Sequence, residues 1–215
     1  MTDPLVVWRN RFEQAVTARE DGDPSHDLGH FRRVWTLARE LAAAEAPDAD
    51  MLVLLAGSYL HDLVNTPKDS PERAEASRRS AAEAVTLLRG MGFPEDRLEA
   101  VRHVIEAHSY SAGIPPRSRE AEILQDADRL ESLGAIGLAR LFAVSGRMGR
   151  RLLDPDDPFA ERRPLDDVAF AIDHVKTKLE KLPGLMRTAT GRRLAEARLA
   201  FVHRFLEELA REIGA

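Results

Sequence analysis

Apolar side chains recur every three or four residues along most of the chain, which is the spacing of helices that bury one face. The segment that ends at Pro47 keeps this spacing over several turns, with apolar residues on one helical face: Phe31, Val34, Ala38, Leu41 and Ala42. No stretch alternates apolar and polar residues over more than a few positions, as a half-buried strand would. The pattern therefore predicts an all-α fold.

Turn-forming residues divide this pattern into separate helices. In chain order the predicted helices cover residues 6–19, 25–46, 48–62, 72–89, 94–108, 120–143, 165–182 and 185–213. The second helix begins at Ser25 or Asp27, because either side chain can accept a hydrogen bond from the backbone of the first turn. The segment 120–143 forms one helix or two, with the interruption at Gly134 or Gly137.

Three connecting segments are predicted to be irregular. Residues 65–71 contain two prolines and follow the third helix, which is capped by Asp48 or Asp50. Residues 109–118 form a second loop. Residues 145–164 are rich in Gly, Pro, Arg and Asp and form the longest irregular segment. A loop of this length in a small helical protein predicts a lid or a substrate-binding segment.

Composition narrows the class of protein. The chain has 215 residues, 44% of them hydrophobic and 31% charged, which fits one domain over residues 1–215 with one sizeable core. It has no cysteine, which excludes disulfides and thiolate chemistry and fits a cytoplasmic location. The net charge is −5 and aromatic residues make up 6%, so no nucleic-acid partner is expected. The longest apolar run is shorter than the ~18 residues of a membrane helix, so no membrane partner is expected.

The pair His61–Asp62 closes the apolar run that begins at Met51. An imidazole and a carboxylate at the end of a buried segment are costly unless they have a partner or a metal ion. The alternative is a helix that simply runs out into solvent, with polar residues at its end.

A histidine precedes this pair and an aspartate follows it, each beside an apolar helical pattern. His30 is followed by Arg33–Val34, and Asp128 lies within Ala127–Leu130. In this order the residues resemble the signature H…HD…D of the HD-domain superfamily of metal-dependent phosphohydrolases. The resemblance covers about residues 25–135. The C-terminal helices, residues 165–213, complete the bundle. Within them the segments from Asp166–Asp167 to His174 and from Lys178 to Leu182 resemble the small bacterial branch that hydrolyses nucleotides.

The resemblance implies a divalent metal ion held between the central helices by His30, His61, Asp62 and Asp128. A mixed nitrogen and oxygen ligand set favours Mn²⁺, with Mg²⁺, Fe²⁺, Co²⁺, Ni²⁺ or Zn²⁺ as alternatives. The implied activity is hydrolysis of nucleoside triphosphates to monophosphate and pyrophosphate by a metal-activated water. The alternatives are a phosphomonoesterase acting on nucleoside monophosphates and a non-catalytic module that binds metal or nucleotide. The oligomeric state is left open.

Neighbouring residues offer further chemistry. Asp126 lies about 200° around the helix from Asp128, so it is interpreted as a surface carboxylate or one that acts behind the ligands. His26 and Asp27 precede the ligand helix and can orient His30 or touch the substrate, although Asp27 can equally be a plain helix cap.

His108 shares the inward face of its helix, so it is either a core histidine or part of the site. His103 lies about 140° from His108 around that helix and is predicted on the surface.

One departure from the nucleotidase relatives concerns the water-activating group. Some of these relatives carry an acidic residue three places after the HD pair, whereas this chain has Asn65. A neutral amide cannot take a proton, so the role passes to Asp27, Asp126 or the metal alone.

Four basic residues are predicted to bind the substrate phosphates: Lys68, Arg129, Lys178 and Lys181. Lys68 lies in the loop that follows Asp62, where a β- or γ-phosphate would project. Residues 176–193 contain six basic residues and one acidic residue, although a solvated charged face would look the same.

Overall fold

The structure, a computed structural model, describes residues 3–19, 27–64 and 75–214. Within these ranges all regular elements are helices, and the one β-type feature is an isolated parallel bridge between Arg151 and Phe170. The prediction of an all-α fold is confirmed. The chain forms two compact units, Met1–Asp128 and Arg129–Ala215. The single domain over residues 1–215 stays a prediction.

The described part of the first unit contains six α-helices. The unit ends at Asp128, which lies within the sixth helix. Their bounds are α1 Pro4–Thr17, α2 Leu28–Glu45, α3 Met51–Leu60, α4 Ala76–Gly90, α5 Leu98–His108 and α6 Arg119–Leu130. A short 3₁₀ turn, Glu95–Arg97, leads into α5. The predicted loop at residues 109–118 separates α5 from α6, and the predicted loop at residues 65–71 lies outside the described residues.

Two aspartates begin the helices that lead to the candidate ligands. The Asp27 side chain accepts a hydrogen bond of 2.8 Å from the backbone N–H of His30, so Asp27 caps α2. The Asp50 side chain accepts from the backbone of Leu52 and Val53, at 3.0 and 3.2 Å, and caps α3. Each cap is one of the two alternatives that the sequence left open.

Helix α3 is the centre of the first unit and packs against α1, α2 and α5. Gly57 permits its close approach, because a Cβ atom there would lie 2.7 Å from Cγ1 of Val104 and 3.1 Å from Cδ2 of Leu124. Val104 belongs to α5 and Leu124 to α6. Because Gly57 has no side chain, the end of α3 can lie close to the two helices that carry His108 and Asp128.

The described helices of the second unit are α7 Gly134–Arg147, α8 Asp173–Thr177 and α9 Ala189–Ile213. Gly134 has a positive φ of 72°, which favours glycine, and the predicted interruption between two helices falls there. Phe142 of α7 and Phe205 of α9 lie 5.8 Å apart between ring centroids. Among all described helices, none is both long enough and apolar enough to cross a membrane.

The prediction of a helix over residues 165–182 is wrong. The segment contains only α8, followed by 3₁₀ turns at Leu179–Lys181 and Pro183–Leu185. The buried Asp173 carboxylate holds the preceding chain in an irregular path. It accepts two hydrogen bonds from the Arg163 guanidinium, at 2.6 and 2.8 Å, and one of 2.7 Å from the backbone of Asp166.

The predicted helix over residues 185–213 is shorter than expected and begins at Ala189. The Thr188 side chain caps it by accepting a hydrogen bond of 2.9 Å from the backbone of Gly191.

The segment between α7 and α8 is irregular, as predicted for residues 145–164, except that α7 continues to Arg147. Asp157 organises it, because its carboxylate accepts from the backbone of Glu161, Arg162 and Arg163 at 3.0, 2.8 and 2.9 Å. These bonds, led by the one from Glu161, lower the pKa of the Asp157 carboxyl to about 2. The role of this segment as a lid or substrate loop stays a prediction.

Candidate metal centre

Two overlapping groups of metal-capable side chains lie together in the first unit. Among the described residues, one group contains His30, His61 and Asp128, and the other contains His61, Asp62 and His108. Within each group one ligand atom of every residue lies within 4.8 Å of the others. The structure thus brings together the four ligands implied by the sequence, with His108 beside them.

Four helices supply these side chains. His30 lies in the first turn of α2, His61 is the C-cap of α3 with Asp62 directly after it, and His108 is the last residue of α5. Asp128 lies near the end of α6. The cluster is therefore formed where helix ends meet, and Gln125 of α6 adds a hydrogen bond of 2.8 Å to the carbonyl of Ala107 in α5.

Backbone carbonyls fix the tautomers of two of the histidines. Nδ1 of His61 lies 3.1 Å from the Ser58 carbonyl oxygen, and Nδ1 of His108 lies 2.6 Å from that of Ile105. A carbonyl oxygen can only accept, so each Nδ1 carries the proton. In the neutral rings each Nε2 atom is then left with a lone pair, and both Nε2 atoms point into the cluster.

These lone pairs lie close to carboxylate oxygens. Nε2 of His108 lies 3.4 Å from Oδ1 of Asp62, and Nε2 of His61 lies 3.6 Å from Oδ2 of Asp62 and 3.8 Å from Oδ1 of Asp128. Nε2 of His30 lies 3.3 Å from Nε2 of His61 and 3.7 Å from the Asp128 oxygen. Acceptor atoms this close together repel one another unless a proton or a metal ion lies between them, so the arrangement can hold a cation.

The spacing of these atoms fits a metal ion. Nitrogen and oxygen ligands lie about 2.0–2.2 Å from an ion such as Zn²⁺, so neighbouring ligand atoms are about 3 Å apart. The observed separations of 3.3 to 3.8 Å exceed this by less than an ångström. The residues present therefore fit a divalent cation.

The histidine side of the centre is buried, whereas the carboxylate side is partly exposed. The side chains of His30 and His61 are 0% exposed, whereas those of Asp62 and Asp128 are 26% and 27% exposed. The Phe31 ring packs edge-on against His61 at 5.6 Å between centroids. Water and a ligand can approach from the carboxylate side.

The neighbouring charges shift two pKa values in opposite directions. Burial lowers the pKa of His108, but the hydrogen bond and charge of Asp62 raise it by more, so the net shift is upward. Burial raises the pKa of the Asp128 carboxyl, but the imidazoles of His61, His30 and His108 lower it by more, so the net shift is downward. Both shifts show that the cluster attracts positive charge.

The other predicted site residues of the first unit have different surroundings. Asp27 is exposed and caps α2 through the backbone of His30, so it positions a candidate ligand's helix. Asp126 is 0% exposed and belongs to neither candidate metal group, so the surface alternative is wrong and a role behind the ligands stays a prediction. The inward apolar residues that flank it on α6 explain this burial. His26 lies outside the described residues.

The predicted phosphate-binding residues differ in their positions and contacts. Arg129 is buried and donates a hydrogen bond of 2.5 Å to the Leu185 carbonyl within the second unit. Lys178 is the C-cap of α8 and Lys181 ends the next 3₁₀ turn, so the two do not lie on one continuous helix. Lys68 lies outside the described residues. Their roles towards phosphate stay predictions.

The surface position predicted for His103 is wrong, because only 9% of the residue is exposed. The loop at residues 109–118 folds back against it, and the backbone N–H of Arg117 donates to Nε2 of His103 at 2.9 Å. The helical angle from His108 could not reveal this contact, since it depends on the path of the loop.

A buried cluster of imidazoles and carboxylates between helices is the site that the H…HD…D order implies, and the HD domain family matches residues 27–133. The chain belongs to this family, which places it among the HD-superfamily hydrolases. It is 30% identical over 197 residues to the uncharacterized protein YpgQ of Bacillus subtilis (strain 168), a match that covers 90% of this chain and 87% of YpgQ.

Solved structures of relatives have the same fold. The crystal structure of Bacillus subtilis YpgQ in complex with ADP is 29% identical, with a TM-score of 0.75, and the match covers 98% of this chain and 99% of that one. The crystal structure of an HD-superfamily hydrolase from Bacillus thuringiensis is 28% identical, with a TM-score of 0.73, and covers 98% of this chain and 99% of that one.

Proposed function

We propose that this protein is a metal-dependent phosphohydrolase that cleaves nucleoside triphosphates to monophosphate and pyrophosphate. The observation that carries the proposal is the meeting of lone pairs from His61 and His108 with the carboxylates of Asp62 and Asp128. A cluster of this kind can hold a metal ion in place of protons, and its nitrogen and oxygen donors suit Mn²⁺ or a related ion.

In this proposal His30, His61, Asp62 and Asp128 hold the ion, and His108 orients Asp62 from the opposite side. A bound divalent ion lowers the pKa of a water from about 15.7 to about 7 in favourable sites and offsets charge on phosphoryl oxygens. The Ser58 carbonyl keeps the His61 ring in the tautomer that can bind an ion. The partly exposed carboxylates leave an open side for water and for a phosphate group.

Under this proposal the proton of the attacking water would pass to solvent on the exposed carboxylate side, without a separate protein base. Asn65, which lies outside the described residues, cannot accept a proton. The Asp27 carboxylate caps α2, and the Asp126 carboxylate is buried within the helical packing. Of the three candidates that the sequence offered, Asp27 already accepts a hydrogen bond from the backbone and Asp126 is shielded from solvent, which favours the metal alone.

A nucleotide substrate is supported by the relative from Bacillus subtilis, because YpgQ was crystallised in complex with ADP. Bound ADP has two phosphates, so that protein accommodates more than a nucleoside monophosphate. We extend this property to the present chain and propose a nucleotide with at least two phosphates as its ligand. Lys68, Lys178 and Lys181 are the proposed contacts of the distal phosphates.

The decisive experiment is a panel of nucleoside tri-, di- and monophosphates incubated with the protein and Mn²⁺, with pyrophosphate and orthophosphate measured separately. Pyrophosphate from triphosphates is the expected product. Orthophosphate from monophosphates would replace the proposal with a phosphomonoesterase. Saturable nucleotide binding without any product would indicate a non-catalytic binding module.

A further inference from the structure

The loop at residues 109–118 joins two helices of the candidate metal centre. It begins directly after His108 at the end of α5 and leads to α6, which carries Asp128. At its far end the Ser118 side chain accepts a hydrogen bond of 3.2 Å from the backbone of Ala121, in the first turn of α6. The path of this loop therefore bears on how the two helices are held together.

The loop returns to α5 just before it enters α6. Pro115 and Pro116 have no backbone N–H, and Arg117 is the first residue after them that can donate one. This N–H donates to Nε2 of the buried His103 at 2.9 Å. The bond spans the base of the loop, from the middle of α5 to the residue before Ser118.

The bond fixes the protonation state of the imidazole. Since Nε2 accepts, it carries no proton, and the proton of the neutral ring lies on Nδ1. The Arg117 guanidinium nitrogen Nη2 lies 3.4 Å from Nδ1, so a positive group already stands beside the neutral ring. A proton added to Nε2 would turn the acceptor into a donor that faces another donor, and it would place an imidazolium beside the guanidinium.

We propose that His103 is a positioning residue for the metal centre, which latches the loop at residues 109–118 onto α5 when neutral and releases it when protonated. The latch acts through the backbone of Arg117 and the Ser118 cap on the start of α6. Its effect on catalysis rests on the proposed function, whereas its effect on the loop does not.

The charges around the ring set the direction of the pH dependence. Burial and then the Arg117 guanidinium lower the pKa of His103, while Glu106 and Glu99 of the same helix oppose them, and the net shift is downward. A base with a lowered pKa in the folded protein stabilises the fold above its ordinary pKa of about 6.5 and loses that contribution as the pH falls. The latch is therefore closed at neutral pH and opens only as the pH falls below the ordinary histidine pKa of about 6.5.

Amide hydrogen exchange of the loop tests the latch directly. His103→Gln is the matched variant, because the glutamine oxygen can occupy the place of Nε2 and accept the same bond without titrating. At each pH the exchange rate of residues 109–118 in the wild-type protein is divided by that in His103→Gln, both with Mn²⁺. This ratio removes the intrinsic pH dependence of exchange and any effect of the metal ligands, which both proteins share.

The ratio should be near one at pH 7.5 and rise about 3- to 10-fold as the pH falls to about 5, the factor expected for one lost hydrogen bond. Arg117→Ala keeps the backbone donor but removes the guanidinium, so its transition should move to higher pH. A ratio that stays flat over this range would overturn the proposal.

Kinetics then separate the latch from the proposed function. If nucleotide hydrolysis is found, kcat/KM of the wild-type protein should fall about 3- to 10-fold further than that of His103→Gln over the same pH range. A pH-dependent exchange ratio without any hydrolysis would keep the latch and remove the proposed function. Hydrolysis with equal pH profiles in both proteins would show that His103 does not position the centre.

Discussion

Nε2 of His108 lies 3.4 Å from an oxygen of Asp62, and with a neutral ring and an ionised carboxylate neither atom brings a proton to the contact. The ring proton of His108 is already donated to the Ile105 carbonyl. Burial lowers the pKa of His108, but the Asp62 carboxylate raises it by more, so it favours positive charge at this nitrogen, either as a proton or as a metal ion. The other ligand atoms of the centre converge on the same place, so the His108–Asp62 contact can take part in holding a cation.

The two aspartates of α6 should behave differently. Asp128→Asn removes a charged ligand from the centre, so the Mn²⁺ affinity should fall by more than about 100-fold. Loss of a group that only hydrogen-bonds to a ligand costs about 10- to 100-fold. Asp126→Asn should lower the stability but keep the Mn²⁺ affinity, because Asp126 belongs to neither candidate metal group. Calorimetric Mn²⁺ titration of both variants checks this, and the reverse order would mean that Asp126 is the ligand.

Gly57→Ala should destabilise the protein and weaken metal binding together. The added Cβ would lie 2.7 Å from the Val104 side chain, and overpacking of this kind costs about 1–3 kcal/mol. The repacking would also push the end of α3, with His61, away from α5.

Gly90→Ala is the control for Gly57→Ala, because an added Cβ at Gly90 meets nothing within 4 Å. It should be neutral or stabilising by up to about 1 kcal/mol. Urea unfolding of both variants measures the difference, and equal stabilities would contradict the close approach at Gly57.

Lys68→Ala tests the proposed contact with the distal phosphates. If the ammonium stabilises charge on the β- or γ-phosphate, kcat/KM for triphosphates should fall by about 30- to 1000-fold, the size lost with other electrostatic stabilisers. Monophosphates lack those groups and serve as the internal control. Equal losses for both substrates would place Lys68 at the α-phosphate, and no loss would remove it from the site.

Asp157 should make the second unit sensitive to acid. The backbone donors led by Glu161 lower its pKa to about 2, so the stability it provides is present above its ordinary pKa of about 3.9 and is lost as the pH falls from about 4 to 2. The difference in Tm between wild type and Asp157→Asn should therefore be largest at neutral pH and shrink towards pH 3.

Asp156→Asn changes the exposed neighbour of Asp157 and is the matched control for the pH dependence of Tm. This variant should have nearly the Tm of the wild-type protein at every pH. A Tm difference for Asp157→Asn that does not change with pH would contradict the assigned role of the carboxylate.

The sequence predicted the helices of the first unit well because burial of one face sets their periodicity. Phe31, Val34 and Leu41 of α2 are all buried, and the break before α7 falls at a glycine with positive φ. The same reasoning placed His108 on an inward face, where its ring meets that of His61 at 4.8 Å. The spacing of apolar residues was therefore sufficient to locate the helices that pack along their whole length.

The pattern failed where hydrogen bonds between distant residues decide the path of the chain. Leu165 and Val168 fall in the predicted helix over residues 165–182, but they are 43% and 74% exposed and the chain there is irregular. The chain there is held by the Arg163–Asp173 ion pair, which periodicity cannot reveal. His103 was misplaced for the same reason, since a loop that returns from fourteen residues further along the chain covers it.

The most direct test of the account combines metal content and triphosphate hydrolysis for His61→Ala, with His203→Ala as the control. His203 belongs to the second unit and its side chain is 47% exposed. Circular dichroism and thermal unfolding first establish that both variants are folded. The account predicts that His61→Ala retains neither Mn²⁺ nor pyrophosphate release, while His203→Ala keeps both. Normal metal content and normal hydrolysis in folded His61→Ala would contradict it.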